Sequence, residues 1–202
     1  MFTFLKHVKT SYNHALIIFM KERCFWVNLN NPLYIKYHDE EWGVPTHDDK
    51  MLYELLILES FQAGLSWECI LNKREHFRKA YDNFDINKVI NYDNIKINEL
   101  LNNKNIIRNK LKIHASINNS KIFKEIQKEF GSFDKYIWHY TNGKTIKEDC
   151  SKITKSALSD QISNDLKKRG MKFVGSTIIY SYLQAIGVIN GHCNNCYKNS
   201  AI

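Results

Sequence analysis

The 202-residue chain is 44% hydrophobic, enough for one sizeable domain with its own core. Lysine and arginine number 29 against 21 acidic residues, a net charge of +8 that favours anionic partners, nucleic acid or a membrane surface, without alone separating them from an ordinary lysine-rich surface. The first stretch argues against a membrane anchor: Lys6, His7, Lys9 and His14 interrupt it, and its longest apolar run, Ala15 to Met20, is too short for a span or a signal core.

Residues 1–19 read as an N-terminal extension, because the dense sequence begins at Met20; residues 20–202 read as a single domain. The only prolines are Pro32 and Pro45 and glycine is sparse, so the expectation is all-α. A first helix lies in "NNPLYIKYHDEEWG", with Asn31 as cap and Pro32 at its first position, and stops at Gly43 and Pro45. The next, "THDDKMLYELLILESFQAG", has Thr46 or Asp48 as cap, acids in its first turn and Gly64 as stop. "KREHFRKAYDNF", "INKVINYD" and "NIKINELLNN" read as three short helices. A long amphipathic segment follows, "KNIIRNKLKIHASINNSKIFKEIQKEFG", with Ile106, Ile107, Leu111, Ile113, Ile117 and Ile122 as its apolar set. "SFDKYIWHY" is a further helix, and residues 141–158 read as an exposed loop. "SDQISNDLKKRG" places Ile162 and Leu166 inside and Gly170 at its C-terminus; "STIIYSYLQAIG" places Ile179, Tyr182, Leu183 and Ile186 on one face. No strand with alternating polarity stands out.

Cysteine usage points to a reducing, cytoplasmic compartment, with thiols or metal ligands rather than disulfides: there are five, an odd number, and no secretion signal is evident. Cys24 and His38 near the start and His192 and Cys196 near the end would together make a tetrahedral Cys₂His₂ site that ties the two ends of the chain. A rival set uses Cys193 and Cys196 as a C-x-x-C pair.

Three further features carry chemistry. Leu52, Leu55, Leu56 and Glu59 fall at i, i+3, i+4 and i+7, which puts a carboxylate on an apolar helix face. Such a group needs a structural partner, a helix end or an arginine, or else it lines a pocket for a cationic or hydrogen-bond-donating ligand. Trp26, Tyr34, Tyr37, Trp42 and Trp67 cluster around it in sequence, and flat rings about a carboxylate suit a planar cationic base. Lastly, "LKKRGMKFVGST" joins two helices through Gly170 and Gly175 with Lys167, Lys168, Arg169 and Lys172 around the turn. It reads either as a helix-hairpin-helix gripping DNA phosphates through free N–H groups or as a plain helical corner with solvated lysines.

Taken together, "ERCFWV", "NPLYIKYHDEEWGVP", "LESFQAGLSWECIL", "NIIRNKLKI", "LKKRGMKFVGSTIIYSYLQAIGVIN" and "HCNNC" resemble the DNA-3-methyladenine glycosylase I family, within the helix-hairpin-helix glycosylase superfamily, over residues 22–197. The resemblance implies one structural zinc ion on Cys24, His38, His192 and Cys196, with Cys193 a bystander. It implies that Glu59 recognises the base, that Tyr37 and Trp67 sandwich it, and that Trp26, Tyr34 and Trp42 stand nearby. It implies DNA contacts at Arg169, Gly170, Lys172, Phe173, Gly175 and Ser176. The expected activity is hydrolysis of the N-glycosidic bond of 3-methyladenine in alkylated double-stranded DNA by a bacterial-type monomer. No aspartate follows the hairpin in "STIIYSYLQAIGVINGH", so the expectation is a monofunctional enzyme without lyase activity. The sequence departs from the family at Phe25, where a small residue is common, and in the 1–19 extension.

Overall fold

Asn31 and Pro32 open the first helix by the local chemistry that the sequence suggests. In the computed structural model of the chain, which describes residues 21–149 and 153–199, helix α1 runs Pro32–Glu40, and the Asn31 side chain accepts from the Leu33 and Tyr34 N–H groups. The extension expected over 1–19 lies outside the described residues. Helix α2 (Asp49–Gln62) is capped by Asp48 rather than Thr46. It is buried without a break from Leu52 to Phe61, so it is the central helix of the molecule and not one with a single apolar face.

Around it come α3 (Trp67–Leu71), α4 (Arg74–Ala80), α5 (Ile86–Val89), α6 (Asn94–Asn102), α7 (Lys110–Phe130) and α8 (Phe133–His139). Helix α7 starts at Lys110, later than its apolar pattern suggested, because the Asn109 side chain accepts from the Lys112 N–H and caps it there. Ile106 is buried from the preceding loop, and Leu111 faces solvent at 71% exposure. On its inner face Ser116 and Ser120 hydrogen-bond the hydroxyls of Tyr81 and Tyr53 at 3.0 and 2.6 Å.

The segment expected as a loop over 141–158 contains a short strand, β1 (Ile146–Lys147), and the first residues of α9 (Ala157–Lys168). Helix α10 (Ser176–Ala185) leads into β2 (Ile189–Asn190), which pairs with β1 in parallel. Two-residue strands have no periodicity to read. The fold is otherwise helical, as the sequence implied. The end of α10 crosses the link between α1 and α2 at contact: Gly43 N–H donates to the Gln184 carbonyl and Thr46 N–H to that of Ile186. A Cβ at Gly187 would stand 2.4 Å from the Pro45 nitrogen, so only glycine permits the crossing.

A buried charge network locks α1, α2 and α4. Glu54 accepts from Arg74 Nε at 2.5 Å and lies 2.7 Å from Arg78 Nη2, while Arg74 Nη1 reaches Glu41 at 2.7 Å. Replacing one partner strands the others in low dielectric. Arg74→Met is expected to lower the unfolding free energy by about 3 kcal/mol in urea titration. A loss under about 1 kcal/mol would show that the network contributes nothing net.

Candidate functional site

Helices α1, α2, α3 and α10 enclose a cavity of about 230 Å³. This lies below the roughly 300–1,000 Å³ of drug-sized sites and suits one flat heterocycle. Trp26, Tyr34, Tyr37, Trp42, Glu59 and Trp67, singled out separately from the sequence, all line it. Thr177, Tyr180, Ser181 and Gln184 on α10 line it too, and the sequence reading missed them. The signal was present: these positions recur at i, i+3, i+4 and i+7, a second stripe beside the apolar one of Ile179, Tyr182, Leu183 and Ile186.

Glu59 is 2% exposed, its Oε2 has no hydrogen-bond partner, and burial holds its pKa well above the ordinary carboxyl range. Glu54, five residues earlier on the same helix, is equally buried but bound to two arginines. The helix therefore carries one carboxylate with a structural partner and one without. The cavity wall holds other unsatisfied groups: Gln62 Oε1 is an acceptor, and Trp67 Nε1 and Gln184 Nε2 are donors. Each such group costs about 1–3 kcal/mol unless a ligand bonds it. Together they call for a flat ligand with both donors and acceptors.

The Tyr37 and Trp67 rings lie 5.3 Å apart at 43°. A base held flat between two rings needs them nearly parallel and roughly 7 Å apart. Without a base between them they meet as adjoining walls of the cavity. Trp26 and Trp42 pack edge to face at 4.8 Å. They also form a partition: on the far side Trp26 meets His38 at 5.4 Å and Trp42 meets His192 at 4.6 Å.

Behind that partition Cys24, His38 and Cys196 converge, their ligand atoms all within 4.8 Å of one another and all three residues buried. The His38 Nε2 to Cys196 Sγ distance is 3.4 Å. Two such donors on a tetrahedral zinc stand roughly 3.5 Å apart, so the set fits a thiolate–imidazole metal centre. His38 Nδ1 lies 2.9 Å from Asp39, whose carboxylate is held low, against the effect of burial, by hydrogen bonds from Arg23 and His38. His192 stands beside the cluster but outside its converging atoms; its Nδ1 lies 3.0 Å from Asn190 Oδ1 and its buried Nε2 has no partner. Burial lowers its pKa to about 4, which keeps the imidazole in the neutral, ligating form. Gly43 makes room for it, since a Cβ there would meet His192 Cε1 at 2.6 Å. Cys193 takes part through its backbone N–H, donated to Cys24 Sγ at 3.4 Å, and its thiol is not among the converging atoms.

The link between α9 and α10 is a tight hairpin. Gly170, at φ +101°, ends α9 with paired bonds from its own N–H to Lys167 and from the Met171 N–H to Leu166. Gly175 stands at the cap position of α10 and offers no side chain, so the helix's first N–H groups are open, and Lys167, Lys168 and Lys172 are exposed nearby. Two of the expected contacts are otherwise engaged: Arg169 binds Glu129 at 2.6 Å and Asp165 at 2.8 Å, and the Ser176 hydroxyl bonds Asp160.

Residues 26–199 match the sequence profile of the methyladenine glycosylase family. DNA-3-methyladenine glycosylase 1 of Escherichia coli K12 is 42% identical over 179 residues, 87% of this chain and 95% of that protein. A crystal structure of a 3-methyladenine DNA glycosylase I variant in complex with 3-methyladenine superposes with a TM-score of 0.83 at 36% identity, covering 89% of this chain and 98% of that one. The Staphylococcus aureus 3-methyladenine DNA glycosylase I, solved for the structural basis of 3-methyladenine recognition, gives 0.84 at 35% identity over 89% of this chain and 97% of that one.

Proposed function

The chain belongs to the methyladenine glycosylase family, and from that premise we propose that it removes 3-methyladenine from alkylated double-stranded DNA as a monofunctional base-excision enzyme. It is a hydrolase acting on N-glycosyl bonds. The observation that carries the reading is Glu59, an unpartnered buried carboxylate among aromatic walls in a cavity the size of one base.

Methylation at N3 leaves the attached adenine cationic, so its glycosidic bond is already weak. The nucleotide must leave the helical stack to reach the cavity, at a cost of a few kcal/mol. Glu59 accepts from the base edge and favours the cationic form, while Tyr37 and Trp67, with Trp26, Tyr34 and Trp42 around them, supply stacking and cation–π attraction. Water adds to the deoxyribose C1′ as the C1′–N9 bond breaks; the base leaves neutral with the electron pair, and the water's proton goes to solvent. Selectivity comes from binding the flipped cation. No lysine lines the cavity among the described residues, which supports hydrolysis without a covalent lyase step.

The cluster of Cys24, His38 and Cys196, completed by the unpartnered Nε2 of His192, holds one structural zinc ion in this reading. Four protein ligands leave no open position for a catalytic water. The hairpin, from Gly170 and Lys172 to Phe173, Gly175 and Ser176, acts as a helix-hairpin-helix: uncapped N–H groups at the start of α10 seat a DNA phosphate and exposed lysines add charge, while the Gly170 and Lys172 N–H groups stay bonded to Lys167 and Asn119. Arg169, bound to two carboxylates, would have to exchange partners to join them. The bacterial relative and the unbridged cysteines Cys24, Cys69, Cys193 and Cys196 support a reducing, cytoplasmic compartment, where the protein acts as a monomer in this reading.

Methylated duplex DNA incubated with the protein is expected to yield free 3-methyladenine by chromatography and abasic sites without strand cleavage. DNA binding by folded, metal-loaded protein with no base released would instead identify a non-catalytic binding module.

A further inference from the structure

Lys112 is the one buried lysine among the described residues, and the chemistry above does not use it. Its ammonium donates to the carbonyls of Phe61 at 2.9 Å and Ala63 at 2.6 Å. These close the C-terminal end of α2, the helix that carries Glu59 and Gln62. A cation there bonds carbonyls that the helix leaves unpaired and complements the negative end of its dipole. Burial lowers the ammonium's pKa, and the two carbonyl acceptors work against that desolvation. The Phe173 ring of the hairpin lies 5.8 Å from the same nitrogen.

Asn119 lies two helical turns further along the same face of α7 and is fully buried. Its Oδ1 accepts from the Lys172 N–H at 2.9 Å and its Nδ2 donates to the Lys172 carbonyl at 2.8 Å. Asn118 adds a bond from Nδ2 to the Gly170 carbonyl at 2.9 Å. One helix thus holds the main chain of the hairpin at one point and the main chain of the pocket helix at another. The bonds go to backbone in both cases, so they set position and do not depend on the neighbouring side chains.

We infer that Lys112 and Asn119 are positioning residues, which hold the hairpin and the Glu59 cavity in fixed register so that a nucleotide whose phosphate sits on the one delivers its base into the other. The inference rests on the reading of the cavity as a base pocket and of the hairpin as a DNA seat. It deepens that reading by naming what couples the two. Misplacement of reacting groups by about 1 Å can cost about a hundredfold in rate, so slack in this link should appear in base release before it appears in either binding event alone.

The test compares wild type, Lys112→Met, Asn119→Asp and the double variant. Single-turnover release of 3-methyladenine from methylated duplex is the main readout. Affinity for undamaged duplex and quenching of tryptophan fluorescence by free 3-methyladenine report the two ends separately, and thermal melting reports the fold. Each single variant is expected to release base at least tenfold more slowly, with both affinities within about threefold of wild type. The double variant should be no more than twofold slower than the worse single one. Residues about 10 Å apart along a helix normally act additively, so non-additivity marks a shared link. An unchanged rate overturns the inference. So does a loss that follows free-base affinity or duplex affinity, or a double variant that multiplies the two losses. Lys112→Gln, which keeps one donor, replaces the methionine variant if that one does not fold. Absence of base release by wild type would sink the glycosylase reading itself, a separate outcome.

Discussion

Glu59→Gln is expected to slow base release about a hundredfold or more while raising the melting temperature. The loss follows from charge: a buried carboxylate facing a cationic base makes a charge-assisted hydrogen bond worth about 3 kcal/mol, and each 1.4 kcal/mol is about tenfold in rate. Glutamine keeps the shape and an acceptor oxygen but no negative charge. The gain in stability follows from the same isolation. Glu59 Oε2 has no partner, and burial raises its pKa well above the ordinary carboxyl range. Between the unfolded and folded values the folded state binds the extra proton, so whatever stability this group contributes is present below the unfolded value and is lost as pH rises through the folded one. Glutamine has no proton to lose. The variant should therefore gain on wild type as pH rises, and melts at pH 5 and pH 8 read the difference. A variant that retains full activity removes Glu59 from recognition of the base. One that is less stable than wild type at pH 8 would show that the carboxylate has a stabilising partner.

Much of the site was legible because its residues obey local rules. Asn31 and Asp48 are caps whose side chains bond N–H groups two and three residues on, and nothing distant is needed to see them. Trp26, Tyr34, Tyr37, Trp42 and Trp67 of the cavity fall in the first third of the chain, on α1, α3 and the segments flanking α1. What stayed hidden depends on contacts far apart in sequence. Glu54 and Glu59 look alike on paper, and they differ only because Arg74 and Arg78 reach back to the first. Lys112 reads as one more lysine in a basic amphipathic stretch, and only the end of α2, about fifty residues earlier, makes it a cap. The all-round burial of α2 arises because α3, α7, α8 and α10 all pack on it. Pairing of β1 with β2 joins residues more than forty apart through two positions each. The polar stripe of α10 was readable at helical spacing, but its meaning needed the cavity on the other side.

Cys196→Ser is expected to abolish metal binding and lower the melting temperature by about 10 °C or more. The cluster joins Cys24, ahead of α1, to Cys196, close to the end of the described residues, so it closes nearly the whole chain. Structural zinc in small peptides contributes apparent binding energies of about 10–16 kcal/mol. Here only a part of that should appear as stability, because much of the buried core is packed around α2, away from the cluster. A loss of about 3 kcal/mol corresponds to about 10 °C for a chain of this size. The effect should reach the base cavity too, since Trp26 and Trp42 lean on His38 and His192 from the other side of the partition. Base release by the variant should therefore fall about tenfold at a temperature where it is still folded, and not vanish, because no reacting atom meets the metal. Chelation of wild type should reproduce both effects. It should also proceed more readily at pH 6 than at pH 8: burial pushes the Cys24 thiol up, and the ligands must shed protons to hold a metal, so acid competes with it. Element analysis by mass spectrometry, melting curves and single-turnover release together decide the matter. Full stability of metal-free protein would remove the staple, and complete loss of activity in a folded, metal-free protein would move the metal from architecture into chemistry.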